Sequence, residues 1–149
     1  WRHALDALQS SSGAKKIDIL VSLPPTSPLR VPKDVTACIQ KLIDSEADIV
    51  ITVRKSDRNP YFNMVTLDQN QTAKIVISPE KRIYRRQDAP PVYDITTVAY
   101  AARPQFVLQR NSLFDGRVKA VVIPSERAID IDTELDFKMA ELLIRDRAR

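Results

Sequence analysis

Two aspartates near the C-terminus of this 149-residue chain have the side chains and the spacing for metal-assisted chemistry. In the run Ala128-Ile129-Asp130-Ile131-Asp132, apolar and acidic residues alternate. An extended backbone would direct Asp130 and Asp132 to one face and the isoleucines to the other. Such carboxylates suit Mg²⁺, which takes one or two of them together with substrate phosphates. A structural role, in which Asp132 assists a helix start and Asp130 faces solvent, would have the same pattern.

A second candidate region is the run Pro24-Pro25-Thr26-Ser27-Pro28-Leu29-Arg30. Its three prolines fix φ and remove three amide donors, so the run must form a stiff loop. It follows the apolar segment 17–23, which predicts a strand buried on both faces. Thr26 and Ser27 would then lie at the carboxyl end of a strand, where open α/β sheets generally bind ligands. A stiff turn without a binding role would explain part of the same pattern.

The elements that must position these residues alternate between strand and helix. After the loop, apolar residues at helical spacing predict a helix that starts near Pro32 and buries Cys38. A second strand is predicted at 48–54, which completes a strand–helix–strand unit with parallel pairing. Further strands are predicted at 95–102 and 118–123, with a hairpin between 62 and 77 and a C-terminal helix capped by Thr133 and Asp136. The class is α/β, as a single domain over 1–149.

Composition excludes several kinds of site. The chain has two glycines, Gly13 and Gly116, and neither lies in a glycine-rich phosphate loop. One cysteine and one histidine exclude a Cys₄ zinc site and a His-rich metal centre. No apolar run approaches the ~18 residues of a membrane-spanning helix. We therefore expect no membrane partner.

Positive charge is concentrated in the middle of the chain. From Arg54 to Arg86 there are eight basic residues and three acidic ones. This excess would attract phosphate, a sugar carboxylate or nucleic acid, although a solvated basic surface would have the same composition. Because no RNA-binding signature accompanies the charges, we expect no nucleic-acid partner. Arg85 and Arg86 offer guanidinium groups suited to a carboxylate or phosphate, or to surface ion pairs.

Three segments together resemble one known family. The first, Leu23-Pro24-Pro25-Thr26-Ser27-Pro28-Leu29-Arg30, is similar to the Leu-Gln-Pro-Thr-Ser-Pro-Leu-Arg signature of acylneuraminate cytidylyltransferases, the CMP-sialic acid synthetases. The second, Arg86-Gln87-Asp88-Ala89-Pro90-Pro91-Val92-Tyr93, resembles that family's Arg-Gln-x-x-Pro segment. The third, Ile129-Asp130-Ile131-Asp132-Thr133-Glu134-Leu135-Asp136, resembles its C-terminal acidic motif. Because the three occur in order over most of the chain, the resemblance is specific to the family's middle and C-terminal portion.

The resemblance implies a Rossmann-like nucleotide-diphospho-sugar transferase fold with a mostly parallel sheet. It also implies that 56–92 forms a β-hairpin excursion used for dimerisation, so that the protein is a homodimer. The activity implied is transfer of CMP from CTP to a sialic-acid-like 2-keto sugar acid, with release of pyrophosphate. Site roles follow by the same resemblance: Mg²⁺ on Asp130 and Asp132, the sugar carboxylate on Arg86, the sugar pocket lined by Tyr100, and both substrates beside Thr26 and Ser27.

The chain departs from the family pattern at three places. Pro24 replaces the glutamine of the first motif, and Thr96-Thr97-Val98 replaces the usual Asn-Gly-Ala before the pocket tyrosine. The family's first strand and its glycine-containing loop for the CTP phosphates have no counterpart before Trp1. We therefore expect a fragment of a full synthetase; the alternative is a non-catalytic dimerisation or ligand-binding relative. The single cysteine and the implied use of CTP predict a cytoplasmic protein.

Overall fold

A computed structural model describes residues 1–11, 13, 16–80 and 83–147 of the chain. The chain divides into two compact units. The first comprises Trp1–Arg54 and Ile95–Arg149, and the second is Lys55–Asp94. The second unit covers the predicted excursion 56–92, whose role in dimerisation stays a prediction, as does the single-domain description.

The first unit is built on a four-stranded sheet. Its strands are β1 (Leu20–Ser22), β2 (Ile49–Lys55), β5 (Tyr93–Ala102) and β6 (Val118–Val122), in the spatial order β1-β5-β2-β6. β1 pairs antiparallel with β5, and β2 pairs parallel with β6. The α/β class is confirmed with a mixed sheet, but the predicted pairing of β1 with β2 is wrong because β5 lies between them.

Helices cover both faces of this sheet. Helices α1 (Arg2–Gln9) and α3 (Pro104–Gln109) contribute Leu5 and Val107 to one core cluster, which includes Ile49 and Ile51. Helix α2 (Pro32–Ile43) contributes Cys38 and Leu42 to a second cluster with Val50. Because successive residues of β2 point to opposite faces and both faces are covered, its buried residues 49–53 are apolar except for Thr52, and its charged residues Arg54 and Lys55 follow at the less buried end.

Cys38 is a core residue, as predicted. Its side chain is fully buried in the described structure. Burial, with the nearby charge of Asp34, raises the pKa of the Cys38 thiol to about 11. The thiol is therefore protonated at neutral pH and packs as a small apolar group.

The second unit contains the predicted hairpin. Strands β3 (Val65–Leu67) and β4 (Ala73–Ile75) pair antiparallel. The turn between them is held by the Asp68 carboxylate, which accepts hydrogen bonds from the backbone N–H groups of Asn70 and Thr72 at 2.9 Å each. Val65 and Leu67 of β3 are exposed. Residues Arg86–Asp88 form a 3₁₀ turn further along this unit.

The C-terminal helix α4 (Glu134–Arg147) begins as the sequence predicts. Thr133 Oγ1 donates to Asp136 Oδ2 at 2.6 Å, and the Asp136 N–H donates to Thr133 Oγ1 at 3.3 Å. The reciprocal capping pair is thus confirmed. Within the described ranges, no helix has both the length and the apolar character needed to cross a membrane.

Candidate functional site

The proline-rich loop follows β1, and its two hydroxyl residues differ in exposure. Ser27 is buried, whereas Thr26 is half-buried. Leu29 anchors the loop, since its side chain is also buried. The predicted strand at 17–23 is shorter than expected, because β1 covers Leu20–Ser22. The loop nevertheless leaves the carboxyl end of a strand, as predicted.

Asp130 lies on a segment bonded to this loop. The Ile131 N–H donates to the Thr26 carbonyl oxygen at 2.9 Å. Asp130 is half-buried, and its Oδ1 is buried with no hydrogen-bond partner among the described residues. A buried carboxylate oxygen without a hydrogen-bond donor raises the free energy of the folded protein, so a cation or donor that bound to it would be favoured. The backbone bond thus joins two of the three signature segments.

Asp132 has different surroundings from Asp130. It is exposed, and its N–H donates to Asp136 Oδ2 at 3.3 Å. No strand forms at 129–132 in the described structure: β6 ends at Val122, and the 3₁₀ turn Ser125–Arg127 precedes an irregular segment. Pro124 lacks the N–H that continued pairing would need. Over the part of the chain that is described, no group of three or more His, Cys, Asp or Glu residues could hold a metal, so any metal here would rest on two carboxylates.

Tyr100 of β5 shares the neighbourhood of Asp130. It pairs with Ser22 of β1, and its ring lies 5.5 Å from the Trp1 ring, centroid to centroid. Burial and the negative charge of Asp130 raise the pKa of the Tyr100 hydroxyl. Both effects disfavour the phenolate, so this hydroxyl stays protonated at neutral pH and is able to donate a hydrogen bond.

Thr97 also belongs to this site, although the predicted site residues did not include it. Ser27 Oγ and Thr97 Oγ1 are 2.6 Å apart and share a hydrogen bond. The signal in the sequence was the replacement of the family's Asn-Gly-Ala by Thr96-Thr97-Val98. The structure therefore brings the proline-rich loop, β5 and the Asp130 segment together within the first unit.

A buried ion pair supports the same region and was not predicted. Arg127 donates from Nε to Asp34 Oδ2 at 3.0 Å and from Nη2 to Asp34 Oδ1 at 2.8 Å. The Val31 N–H also donates to Asp34 Oδ2, at 3.1 Å. Burial raises the pKa of Asp34, but the hydrogen bonds from Arg127 and Val31 and the nearby positive charges outweigh it and hold that pKa below its ordinary value. The pair ties the start of α2 to the 3₁₀ turn before Asp130.

Arg86 lies in the second unit, whereas the other predicted site residues lie in the first. Its side chain is exposed, and Nη2 donates to the Asp57 carbonyl oxygen at 2.9 Å. Arg86 lines a cleft of about 460 Å³ together with Lys55, Arg58 and Asn59. Three basic side chains around one cleft would favour an anionic ligand.

Comparison with known proteins bears on these segments. Post-translational flagellin modification protein B of Campylobacter coli is 32% identical over 132 residues, which are 89% of this chain and 55% of that protein. The CMP-N,N'-diacetyllegionaminic acid synthase of Campylobacter jejuni is 39% identical over 64% of this chain and 39% of its own length. An N-acylneuraminate cytidylyltransferase of Streptococcus agalactiae is 27% identical over 78% of this chain and 28% of its own length. No family model matches the sequence.

A solved structure defines the class of fold. The 4-diphosphocytidyl-2C-methyl-D-erythritol synthase of Anaerococcus prevotii superimposes with a TM-score of 0.61 at 15% identity, over 95% of this chain and 64% of that one. The chain therefore has the Rossmann-like nucleotidyltransferase fold.

Within that class, its curated homologues are members of the acylneuraminate (sialic acid) cytidylyltransferase family, which confirms the resemblance found in the sequence. The chain spans about half, or less, of the length of these relatives.

Proposed function

We propose that the protein transfers CMP from CTP to a sialic-acid-like 2-keto sugar acid and releases pyrophosphate. The observation that carries this proposal is the position of Asp130. Its unpartnered Oδ1 lies on the segment that the bond from Ile131 N to Thr26 O joins to the proline-rich loop. Relatives with cytidylyltransferase and CMP-sugar synthase names support the same activity.

Mg²⁺ fits the donor set of this site. Asp130 and Asp132 offer hard oxygen ligands, and the buried Oδ1 of Asp130 has no donor among the described residues. Two protein carboxylates suffice for Mg²⁺ when substrate phosphates and waters complete its shell. We propose that these aspartates hold the ion, which when bound would neutralise charge on the phosphates of CTP.

The remaining residues bind and orient the substrates. In the proposed reaction the anomeric hydroxyl oxygen of the sugar bonds to the α-phosphorus of CTP. The bond from that phosphorus to the bridging oxygen breaks, pyrophosphate leaves, and the hydroxyl proton is released. Ser27 and Thr26 would hydrogen-bond the sugar, and Tyr100 would form a wall of its pocket with a protonated hydroxyl. No covalent bond to the protein forms.

Arg86 and the second unit have a separate proposed role. The exposed guanidinium of Arg86, in a cleft with Lys55 and Arg58, would bind the sugar carboxylate. We also propose that 56–92 mediates a homodimer, because Val65 and Leu67 on its hairpin are exposed apolar residues that a second copy would cover. Sedimentation of the wild type and Leu67→Lys would test the dimer. A cytoplasmic location, where CTP is made, completes the proposal.

Pyrophosphate release from Mg-CTP with a panel of 2-keto sugar acids tests this function. Asp130→Asn and Asp132→Asn should each lower the rate roughly 100-fold or more, since each removes charge from the metal site. Asp6→Asn is the control, because Asp6 is an exposed acid on α1. Equal rates in all three variants would contradict the metal assignment. Substrate binding without any release would instead favour a non-catalytic ligand-binding relative.

A further inference from the structure

The strand that carries Tyr100 is irregular at its centre. Val98 and Ala99 are adjacent and both fully buried. Val98 packs in a cluster with Ile123, Ala99 packs in the cluster of Cys38, and Val121 contacts both clusters. Thr96 Oγ1 bonds Thr52 Oγ1 on the face of β2 that also carries Val50, and Ala99 packs with Val50 on that same face. Residues three apart lie on opposite faces of a regular strand, so β5 has a β-bulge between Thr96 and Ala99.

The bulge determines which side chains share the opposite face. Thr97 and Tyr100 are three residues apart, a spacing that places side chains on opposite faces of a regular strand. Because Thr96 and Ala99 share a face, the residues that follow them, Thr97 and Tyr100, both point to the other. On that face Thr97 shares a hydrogen bond with Ser27, and the negative charge of Asp130 acts on the Tyr100 hydroxyl. The bulge therefore brings together the residues of the proposed sugar pocket.

A buried hydroxyl on β2 holds the bulge. Thr52 is fully buried, and its Oγ1 accepts from the Ala99 N–H at 3.1 Å and from Thr96 Oγ1 at 2.8 Å. The same hydroxyl lies 3.0 Å from the Ala99 carbonyl oxygen and 3.2 Å from that of Thr96, so it can donate to either. One side chain thus satisfies groups of two residues that are three positions apart on the neighbouring strand.

The backbone register explains why this contact is needed. The bonds from Arg103 N to Asp48 O and from Ser56 N to Val92 O run in opposite chain directions, so β5 lies antiparallel to its neighbour β2. Counting from the first bond places Ala99 opposite Thr52. In that register Thr96 would lie opposite a residue further along β2. The Thr52 hydroxyl gives polar groups of the displaced segment a partner inside the sheet, where an unsatisfied group would be costly.

We propose that Thr52 is a positioning residue, whose hydroxyl holds the bulge of β5 and thereby keeps Thr97 and Tyr100 on one face beside Ser27 and Asp130. Its effect on sugar binding rests on the proposed function; its effect on the bulge does not. Thr52 touches no substrate in this proposal and acts through β5.

Amide hydrogen exchange tests the bulge directly. Thr52→Val keeps the shape of the side chain but removes the acceptor of the Ala99 N–H. We expect exchange at Ala99 to accelerate about tenfold or more relative to the amide of Ala101 in the same strand. Thr52→Ser retains the hydroxyl and should remain within about threefold of the wild type. Val50→Ala is the control: it leaves a cavity on the same face of β2 as Thr52 but keeps the Thr52 hydroxyl. It should therefore change the exchange rates of the Ala99 and Ala101 amides by the same factor.

Two further measurements connect the bulge to the pocket. In Thr52→Val, the nuclear Overhauser contact between Thr97 and Ser27 should weaken or disappear. Affinity for N-acetylneuraminic acid should fall about tenfold while affinity for Mg-CTP stays within about twofold. An unchanged Ala99 to Ala101 exchange ratio, or an unchanged Thr97 to Ser27 contact, overturns the proposal. If the wild type binds neither ligand, the proposed function fails for this chain. The ratio of amide exchange at Ala99 and Ala101 and the Thr97 to Ser27 nuclear Overhauser contact then still decide whether Thr52 holds the bulge.

Discussion

Replacing Arg127 by methionine removes the guanidinium from a buried carboxylate, with a cost that can be worked from its contacts. Asp34 is 3% exposed and Arg127 is 15% exposed. The Asp34 carboxylate accepts two hydrogen bonds from Arg127 and one from the Val31 N–H. The variant keeps the bond from Val31, so we expect the lower end of the range for a broken buried pair, about 3 kcal/mol of unfolding free energy. For a chain of this length that lowers Tm by about 6–12 °C.

The matched control is an exposed ion pair on α4. Arg145 Nη2 lies 2.8 Å from Glu141 Oε1, and the two side chains are 70% and 49% exposed. Arg145→Met should therefore cost less than about 0.5 kcal/mol. Urea and thermal unfolding of both variants measure the difference. Equal losses in Arg127→Met and Arg145→Met would refute the argument that burial makes the first pair expensive to break.

The same pair predicts a dependence of stability on pH. The folded-state pKa of Asp34 is held below the ordinary value of about 3.9, chiefly by Arg127 acting against burial. The contribution of this carboxylate is therefore complete above the unfolded-state pKa and is lost as the pH falls through the folded-state pKa. We expect the stability gap between the wild type and Arg127→Met to be constant from pH 6 to 8 and to narrow below roughly pH 4. If the difference in unfolding free energy between the wild type and Arg127→Met stayed the same in acid, the role assigned to the Asp34 carboxylate would be contradicted.

Two further predictions concern other ionisable groups. Burial and the charge of Asp130 together raise the pKa of Tyr100, so Asp130→Asn should lower that pKa while leaving it above its ordinary value, as ¹³C-tyrosine NMR titration would measure. An unchanged pKa in this variant would show that the charge of Asp130 does not reach the Tyr100 hydroxyl. Cys38, with a pKa of about 11 and no exposure, should react with iodoacetamide at pH 8 at least about 100-fold more slowly in the native protein than in urea, and rapid native labelling would show that the thiol is accessible.

Features that depend on local sequence were predictable. The helical spacing around Cys38 predicted α2, and the strand pattern between 62 and 77 predicted the hairpin, because each signal comes from residues that are close together in the chain. The two signature segments with Ser27 and Asp130 were also found, since their residue types carry the chemistry directly. The structure then placed these segments side by side.

Features that depend on distant pairing were not predictable. The insertion of β5 between β1 and β2 requires a segment about 40 residues beyond β2, and no local pattern specifies it. The Asp34 and Arg127 partners are 93 residues apart. The inferred bulge between Thr96 and Ala99 has no glycine or proline to mark it. The alternation at 129–132 suggested a strand, but its residues have no neighbouring strand in the described structure.

The bond between Ile131 N and Thr26 O has an evolutionary consequence, because both of its atoms belong to the main chain. Side-chain substitutions leave such a bond available, and Ile131→Pro is a change that would remove its donor. Pocket side chains such as Thr97 can therefore diversify while the two segments keep their spacing. Under the proposed function, selection is thereby free to change which sugar acid is bound without rebuilding the backbone contact beside Asp130.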